Sequence, residues 1–291
     1  MDHVLTLIAA RPVAELDAAI IARVRETVHG GATDVLSPGE AADIPCPDPP
    51  DLERVRAALD GRPNDAIVTR KECRRKRLLI ADMDSTIVDG ESLDELAAFA
   101  GLKDEIAAIT RRSMNGEIEF ADALRQRVAM LKGLELEALA ATWSALRLTS
   151  GAHELVGTMR AHGATTVLIS GGFTYFTARV AERIGFEIHH ANTLLDDGTA
   201  LTGTVAEPIL DRDSKRKTLV TLAAAKHLDR SETMAVGDGA NDIDMLREAG
   251  LGIAFHAKPV VTDAIAARVD HADLRALLFV QGFRASEFSV G

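Results

Sequence analysis

Two aspartates, Asp82 and Asp84, stand one residue apart directly after the apolar run Leu78-Leu79-Ile80-Ala81. A short apolar run that breaks off in a polar turn reads as a fully buried strand of a parallel sheet. Near the end of an extended segment, residues two apart can face the same side. Carboxylates so placed repel each other and lose solvation, which calls for compensation. A divalent cation supplies it most simply, and oxygen-only ligands favour Mg²⁺. The chemistry open to such a pair is nucleophilic attack by one aspartate with the other as proton donor. An ordinary Asx or Ser/Thr turn after a strand would use the same residues. What decides between the two is what else the chain brings to that place.

Two further stretches have the same form, and a helix start lies between them. Thr165-Thr166-Val167-Leu168-Ile169 reads as a strand, and Ser170-Gly171-Gly172 follows it at once. A hydroxyl and two glycines at a strand-to-helix turn offer a phosphate hydrogen bonds and close backbone approach. Thr233-Met234-Ala235-Val236 reads as another strand, followed by Gly237-Asp238-Gly239-Ala240-Asn241-Asp242. Between them Ser214 reads as a helix N-cap, with Lys215, Arg216 and Lys217 in the first turn. Cations there oppose the helix macrodipole, a hint that at least one meets an anion. The pair His189-His190 lies on a strand, where neighbours point to opposite faces, so a shared metal is not expected.

Strands alternating with helices predict an α/β protein with a doubly wound, mostly parallel sheet covered on both faces. In such sheets ligands bind outside the carboxyl ends of the strands. Residues 78–91 and 148–291 are assigned to this core. Between them Leu93, Leu96, Ala97 and Ala100 begin an apolar stripe at helical spacing, and residues 92–147 read as an inserted helical cap of about four helices. In its third helix Phe120, Leu124, Val128 and Leu131 form a stripe with Arg127 in the middle. A charge there either snorkels or pairs with a structural acid, or it reaches a substrate carboxylate, which a guanidinium fork matches.

Residues 1–70 read as a small α+β unit without catalytic motifs, suited to packing or dimerisation, with ligand sensing as the alternative. Its stretch 44–50 carries four prolines after Ile44 and is expected to be irregular. The basic run 71–77 is expected to be a solvated linker. The formal net charge of −11 disfavours nonspecific nucleic-acid binding, so an anionic substrate must meet local cations. Two cysteines, no basic leader and no long apolar run fit a cytoplasmic protein without a membrane span.

Together these stretches supply three acids, a hydroxyl, glycine-rich backbone and a cation, a set suited to phosphoryl transfer. Asp82-Met83-Asp84-Ser85-Thr86, Ser170-Gly171-Gly172, Lys215 and Gly237 to Asp242 resemble the four motifs of the haloacid dehalogenase superfamily of phosphatases. The insertion after the first motif resembles that superfamily's small helical cap. Glu91, Met114, Phe120 and Arg127 resemble the branch that acts on O-phosphoserine. The resemblance covers about 78–280.

It implies that Asp82 is the nucleophile and Asp84 the proton donor and later base. It implies Mg²⁺ on the Asp82 side chain, the Asp84 backbone carbonyl and Asp238. Ser170 and the Gly171 amide would hold phosphate oxygens, Lys215 would balance their charge, and Asn241 and Asp242 would support the site. Glu91 would meet the substrate ammonium and Arg127 its carboxylate, with Met114 and Phe120 lining the pocket. The implied partner is a small molecule, phosphoserine, in serine biosynthesis. The alternatives are a related phosphatase or phosphotransferase on another small phosphomonoester, and a slowly turning phospho-acceptor module.

Overall fold

The computed structural model describes residues 2–13, 15–114 and 117–290, without the side chain of Met114. The first unit comprises β1 (His3–Ala9), α1 (Ala18–Thr27), β2 (Asp34–Ser37), β3 (Ala41–Cys46), α2 (Leu52–Leu59) and β4 (Asn64–Arg70). Its strands form an antiparallel sheet in the order β2-β3-β1-β4. Alternation along β1 gives the sheet two covered faces. Leu5, Leu7 and Ala9 pack with Ile20, Val24 and Val55 of the helices, while Ile8 joins the core of the larger unit.

The start of the stretch expected to be irregular is therefore β3. Pro45 is tolerated in this strand for a local reason. Its carbonyl accepts the Gly31 N–H at 2.8 Å, so its nitrogen faces the same edge. There β2 pairs only with Ala41 to Asp43, and no ladder bond is lost.

The basic run is a largely exposed linker, as expected, but two of its cations clasp the units on either side. Arg74 is only 13% exposed, 2.7 Å from Asp43, and its Nε donates to the Val280 carbonyl at 3.2 Å. Lys76 donates to the carbonyls of Cys73 and Ser231. These cations found partners because the run threads between two packed units, which its composition does not reveal.

The larger unit continues with β5 (Leu78–Asp82), a tight turn over 83–87, and β6 (Val88–Asp89). Next come α3 (Ser92–Phe99), α4 (Lys103–Met114), α5 (Phe120–Met130), α6 (Leu136–Ala145) and β7 (Arg147–Leu148). Then follow α7 (Ala152–Ala161), β8 (Thr165–Phe173), α8 (Thr174–Ile184), β9 (Ile188–Asn192), β10 (Leu194–Asp196) and β11 (Leu201–Val205). The chain closes with α9 (Arg212–Ala225), β12 (Thr233–Gly237), α10 (Ile243–Glu248), β13 (Leu251–Phe255), α11 (Pro259–Thr262), β14 (Arg268–Val269) and α12 (Ala276–Phe279). Among the described residues the main sheet runs β14-β13-β12-β5-β8-β9, every neighbour parallel. This is the doubly wound sheet that the alternating pattern predicts.

In β5, Leu79 and Ala81 face the cluster containing α7, α8 and α12. Leu78 and Ile80 face the one containing α9 and α10. Asp82 continues the second set, so the period of two aims it toward α9. Helices α3–α6 form the cap, entered and left through β6 and β7, which pair Val88 with Leu148 and Asp89 with Arg147. The far end of the cap is bound to the β10–β11 hairpin: Gly133 N–H donates to the Leu201 carbonyl at 2.8 Å. Among the described residues no helix is long and apolar enough to cross a membrane.

Candidate active site

Strand β5 lies between β8 and β12, so its carboxyl end is flanked by theirs. Asp82 is buried there, and its Oδ1 accepts the Met83 N–H at 2.8 Å. From α9 the Lys215 ammonium reaches Asp82 Oδ1 at 2.7 Å and Asp242 Oδ1 at 2.6 Å. Helical spacing explains its inward course: Lys215, Leu219 and Ala223, four apart, are the buried residues of α9. The N-cap is Asp211, not Ser214. Asp211 accepts the Ser214 N–H at 2.9 Å and its own N–H donates to Ser214 Oγ at 3.1 Å. A carboxylate thus answers the macrodipole, and Arg216 and Lys217 pair with Asp213.

Asp84 follows on the turn, where Ser85 takes a left-handed φ of 54°. Its carboxyl is held from two sides. Oδ1 accepts the Ser92 N–H at 2.8 Å, and Oδ2 accepts the Ser170 hydroxyl at 3.0 Å. Ser170 Oγ in turn accepts the Gly172 N–H at 2.8 Å. Residues 170–172, expected as a turn after the strand, are the end of β8, whose pairing with β9 shifts between Ile169 and Phe173. The irregularity frees backbone at the sheet rim. A Cβ on Gly172 would sit 3.1 Å from Asp84 Oδ2, so only glycine leaves that approach open.

On the other flank the loop after β12 returns upon itself. Gly239 N–H donates to Asp242 Oδ2 at 3.0 Å, and a Cβ on Gly237 would collide with the Asp242 side chain. Asp82, Asp238 and Asp242, all buried, can each offer an oxygen within 4.8 Å of the others. The Asp84 carboxyl is not in that group. Burial pushes Asp82 well above the usual carboxylate range; Asp242 adds to this and Lys215 opposes it. Burial likewise pushes Asp238 up to about 6, with Lys258 opposing and Asp242 adding. Burial alone would lower Lys215, but Asp242 and Asp82 outweigh it and hold the ammonium protonated. Three carboxylates against Lys215 and the half-exposed Lys258 leave negative charge uncompensated. An all-oxygen set with that deficit fits a hard divalent cation.

The cap supplies the roof. Phe120, at the start of α5, comes so close to the core that a Cβ on Gly171 would lie 3.3 Å from its Cζ. With Ser170, Gly171, Lys215 and Asn241 it lines a cavity of about 20 Å³. Glu91, half exposed, accepts the Ser85 hydroxyl at 3.0 Å and lies 4.0 Å from Lys258 Nζ. Arg127 is partly buried in its apolar stripe; its Nε donates to the Ala123 carbonyl at 3.2 Å and Nη1 to Thr110 Oγ1 at 3.3 Å. Burial lowers its pKa, and Asp94 and Glu91 oppose this. Among the described residues no carboxylate forms an ion pair with it. The Met114 side chain lies outside the described residues.

Two neighbours were not singled out from the sequence. Lys258 reaches Asp238 Oδ2 at 3.4 Å from the start of α11. Its signal is position alone, a cation shortly after the carboxyl end of β13. Ser92 touches Asp84 through backbone, which sequence cannot announce.

A parallel sheet with an acidic centre at its carboxyl rim, roofed by a helical insertion, defines a capped α/β hydrolase. A family model for haloacid dehalogenase-like hydrolases matches residues 76–250, and the chain belongs to that family. It is 42% identical over 207 residues to a phosphoserine phosphatase of Archaeoglobus fulgidus, covering 71% of this chain and 60% of that protein. The chain thus spans less than two thirds of that relative's length. Among solved structures, a HAD family hydrolase from Salmonella enterica serovar Typhi superposes with a TM-score of 0.84 at 29% identity, covering 96% of this chain and 98% of the other. A probable phosphoserine phosphatase from Vibrio cholerae, in unliganded form, gives 0.79 at 28% identity over 98% of this chain and 88% of the other.

Proposed function

We propose that this chain is a Mg²⁺-dependent phosphomonoesterase that hydrolyses O-phosphoserine to serine and phosphate. The observation that carries the reading is that Lys215 pairs with Asp82 and Ser170 with Asp84 at the same rim of the sheet, with a cap arginine, Arg127, that forms no ion pair among the described residues. The names of the relatives support the same substrate.

In the first half of the reaction, a carboxylate oxygen of Asp82 attacks phosphorus. A phosphorus–oxygen bond to Asp82 forms while the bond to the serine oxygen breaks, and Asp84 gives that oxygen its proton. In the second half, Asp84, now ionised, takes a proton from water whose oxygen attacks the same phosphorus. The bond to Asp82 breaks, phosphate leaves, and the carboxylate is restored. Asp84 is pushed up to about 6, by burial first and Glu91 second, which suits a group that must give and take a proton near neutrality.

The Ser170 hydroxyl, the Gly171 amide and Lys215 face the phosphoryl oxygens, with Asn241 beside them. Glu91 meets the ammonium and Arg127 the carboxylate of the serine part. Asp82, Asp238 and the Asp84 carbonyl, with Asp242 alongside, would hold Mg²⁺. The ion supplies charge against the phosphoryl oxygens and keeps Asp82 ionised. In this reading residues 92–147 are the cap and 1–70 an accessory module. Phe120 of the cap closes over Gly171, and opening of the cap is the step that admits substrate.

The test is phosphate release from phosphoserine with Mg²⁺, abolished by chelator. Release only from other esters would refute the substrate, and transfer to an added alcohol would favour the phosphotransferase.

A further inference from the structure

We infer that Ser92 is a positioning residue that holds Asp84 through the proton transfers, an inference that rests on Asp84 as the proton donor proposed above. Ser92 is the first residue of α3, and the N-cap Glu91 makes no side-chain cap bond. A helix start leaves N–H groups without intrahelical partners. The Ser92 N–H spends its free donor on Asp84 Oδ1 at 2.8 Å. The cap thus grips one carboxyl oxygen while Ser170 of the core grips the other at 3.0 Å.

The Ser92 side chain adds a second observation. Ser92 is 0% exposed, and its hydroxyl has no well-aligned hydrogen bond, yet it lies close enough to the Asp84 carboxyl to lower that group's pKa. A buried, unpaired hydroxyl costs stability, and alanine would fill the same place without that cost. The hydroxyl also lies at the carboxyl. A Cβ on Gly172 would stand 3.1 Å from Asp84 Oδ2 and 3.4 Å from Ser92 Oγ, so the two groups border one small space.

Asp84 must be a carboxylic acid before it gives its proton and a carboxylate afterwards. A hydroxyl can accept from the first and donate to the second. Ser170 cannot easily change roles, because it already donates to Asp84 and accepts from Gly172 N–H. Ser92 Oγ carries no such commitment. It keeps the Asp84 carboxyl aimed at the leaving oxygen in either state.

The test compares wild type, Ser92→Ala and Ser92→Thr on two esters. Phosphoserine leaves as an alkoxide and needs the proton; p-nitrophenyl phosphate leaves as a stabilised phenolate and does not. In single turnover, Ser92→Ala is expected to slow phosphoenzyme formation from phosphoserine about tenfold with substrate affinity nearly unchanged, and formation from the aryl ester by no more than about twofold, while the water attack that both share slows equally. Ser92→Thr, which keeps the hydroxyl, is expected to recover most of the loss. Equal losses in phosphoenzyme formation from both esters would reveal a merely structural role and overturn the inference. Unchanged phosphoserine turnover in the alanine variant, or a threonine variant as slow as alanine, would overturn it too. Wild type that cleaves the aryl ester but not phosphoserine overturns the substrate reading alone. The Ser92 comparison is then made on glycerol phosphate, whose leaving oxygen needs the same proton.

Discussion

Phe120 of the cap and Gly171 of the core meet so closely that a single methyl group on the glycine would lie 3.3 Å from the phenyl Cζ. The roof of the cavity therefore rests on the backbone expected to hold phosphate. Gly171→Ala should prop the cap and raise KM for phosphoserine by roughly tenfold, with a smaller effect on kcat. Trimming the roof in Gly171→Ala/Phe120→Leu should restore part of the loss. Steady-state kinetics on the two variants decide it; a double variant worse than the sum of both changes would show that the contact is not steric.

Arg127 gives the sharpest test of substrate class. Its guanidinium is fixed by the Ala123 carbonyl and Thr110, and among the described residues it forms no ion pair, though Asp94 and Glu91 are near enough to act on it. Arg127→Ala should raise KM for phosphoserine about 10- to 100-fold, the loss of a charge-assisted bidentate contact. On a phosphate ester without a carboxylate KM should hardly move. Equal effects on both would remove Arg127 from recognition and leave it a packing residue.

Asp84 links the site to stability. Burial, then Glu91, pushes its pKa from 3.8 to about 6. A carboxyl raised in the folded state favours folding below its unfolded value and loses that contribution as pH rises through the folded one. In chelator, Asp84→Asn should therefore be more stable than wild type at pH 8, by about 1–3 kcal/mol. The gap should shrink as pH falls from about 6 to about 4. Urea denaturation at both ends of that window measures it. A gap independent of pH, or a less stable variant at pH 8, would contradict the account.

Periodicity made much of this legible. Leu78, Ile80 and Asp82 share one face of a strand, and Lys215, Leu219 and Ala223 one face of a helix, so their meeting follows from two simple periods. Arg127 was visible as a charge out of place in an apolar stripe. What stayed hidden depends on geometry that no period encodes. Asp242 was reached through the resemblance alone, and its path into the acid cluster depends on glycines at 237 and 239 that let the loop double back. Ser92 binds Asp84 through its backbone N–H, which no side-chain pattern announces, and Lys258 arrives from a separate element. Pro45 misled because proline is expected to break strands, yet its nitrogen lies on an edge with nothing to pair. In the basic run 71–77 the contacts of Arg74 stayed hidden because a cation's partner can lie far along the chain, as Asp43 and Val280 do.

Everything above turns on whether phosphorus becomes bonded to the carboxylate that Lys215 holds. The direct measurement is acid quenching during turnover of phosphoserine, then mass spectrometry of the proteolytic peptides. A phosphoryl adduct on the peptide containing Asp82, lost together with turnover in Asp82→Asn, is the expected result. Undiminished turnover in that variant, or an adduct on another residue, would contradict it.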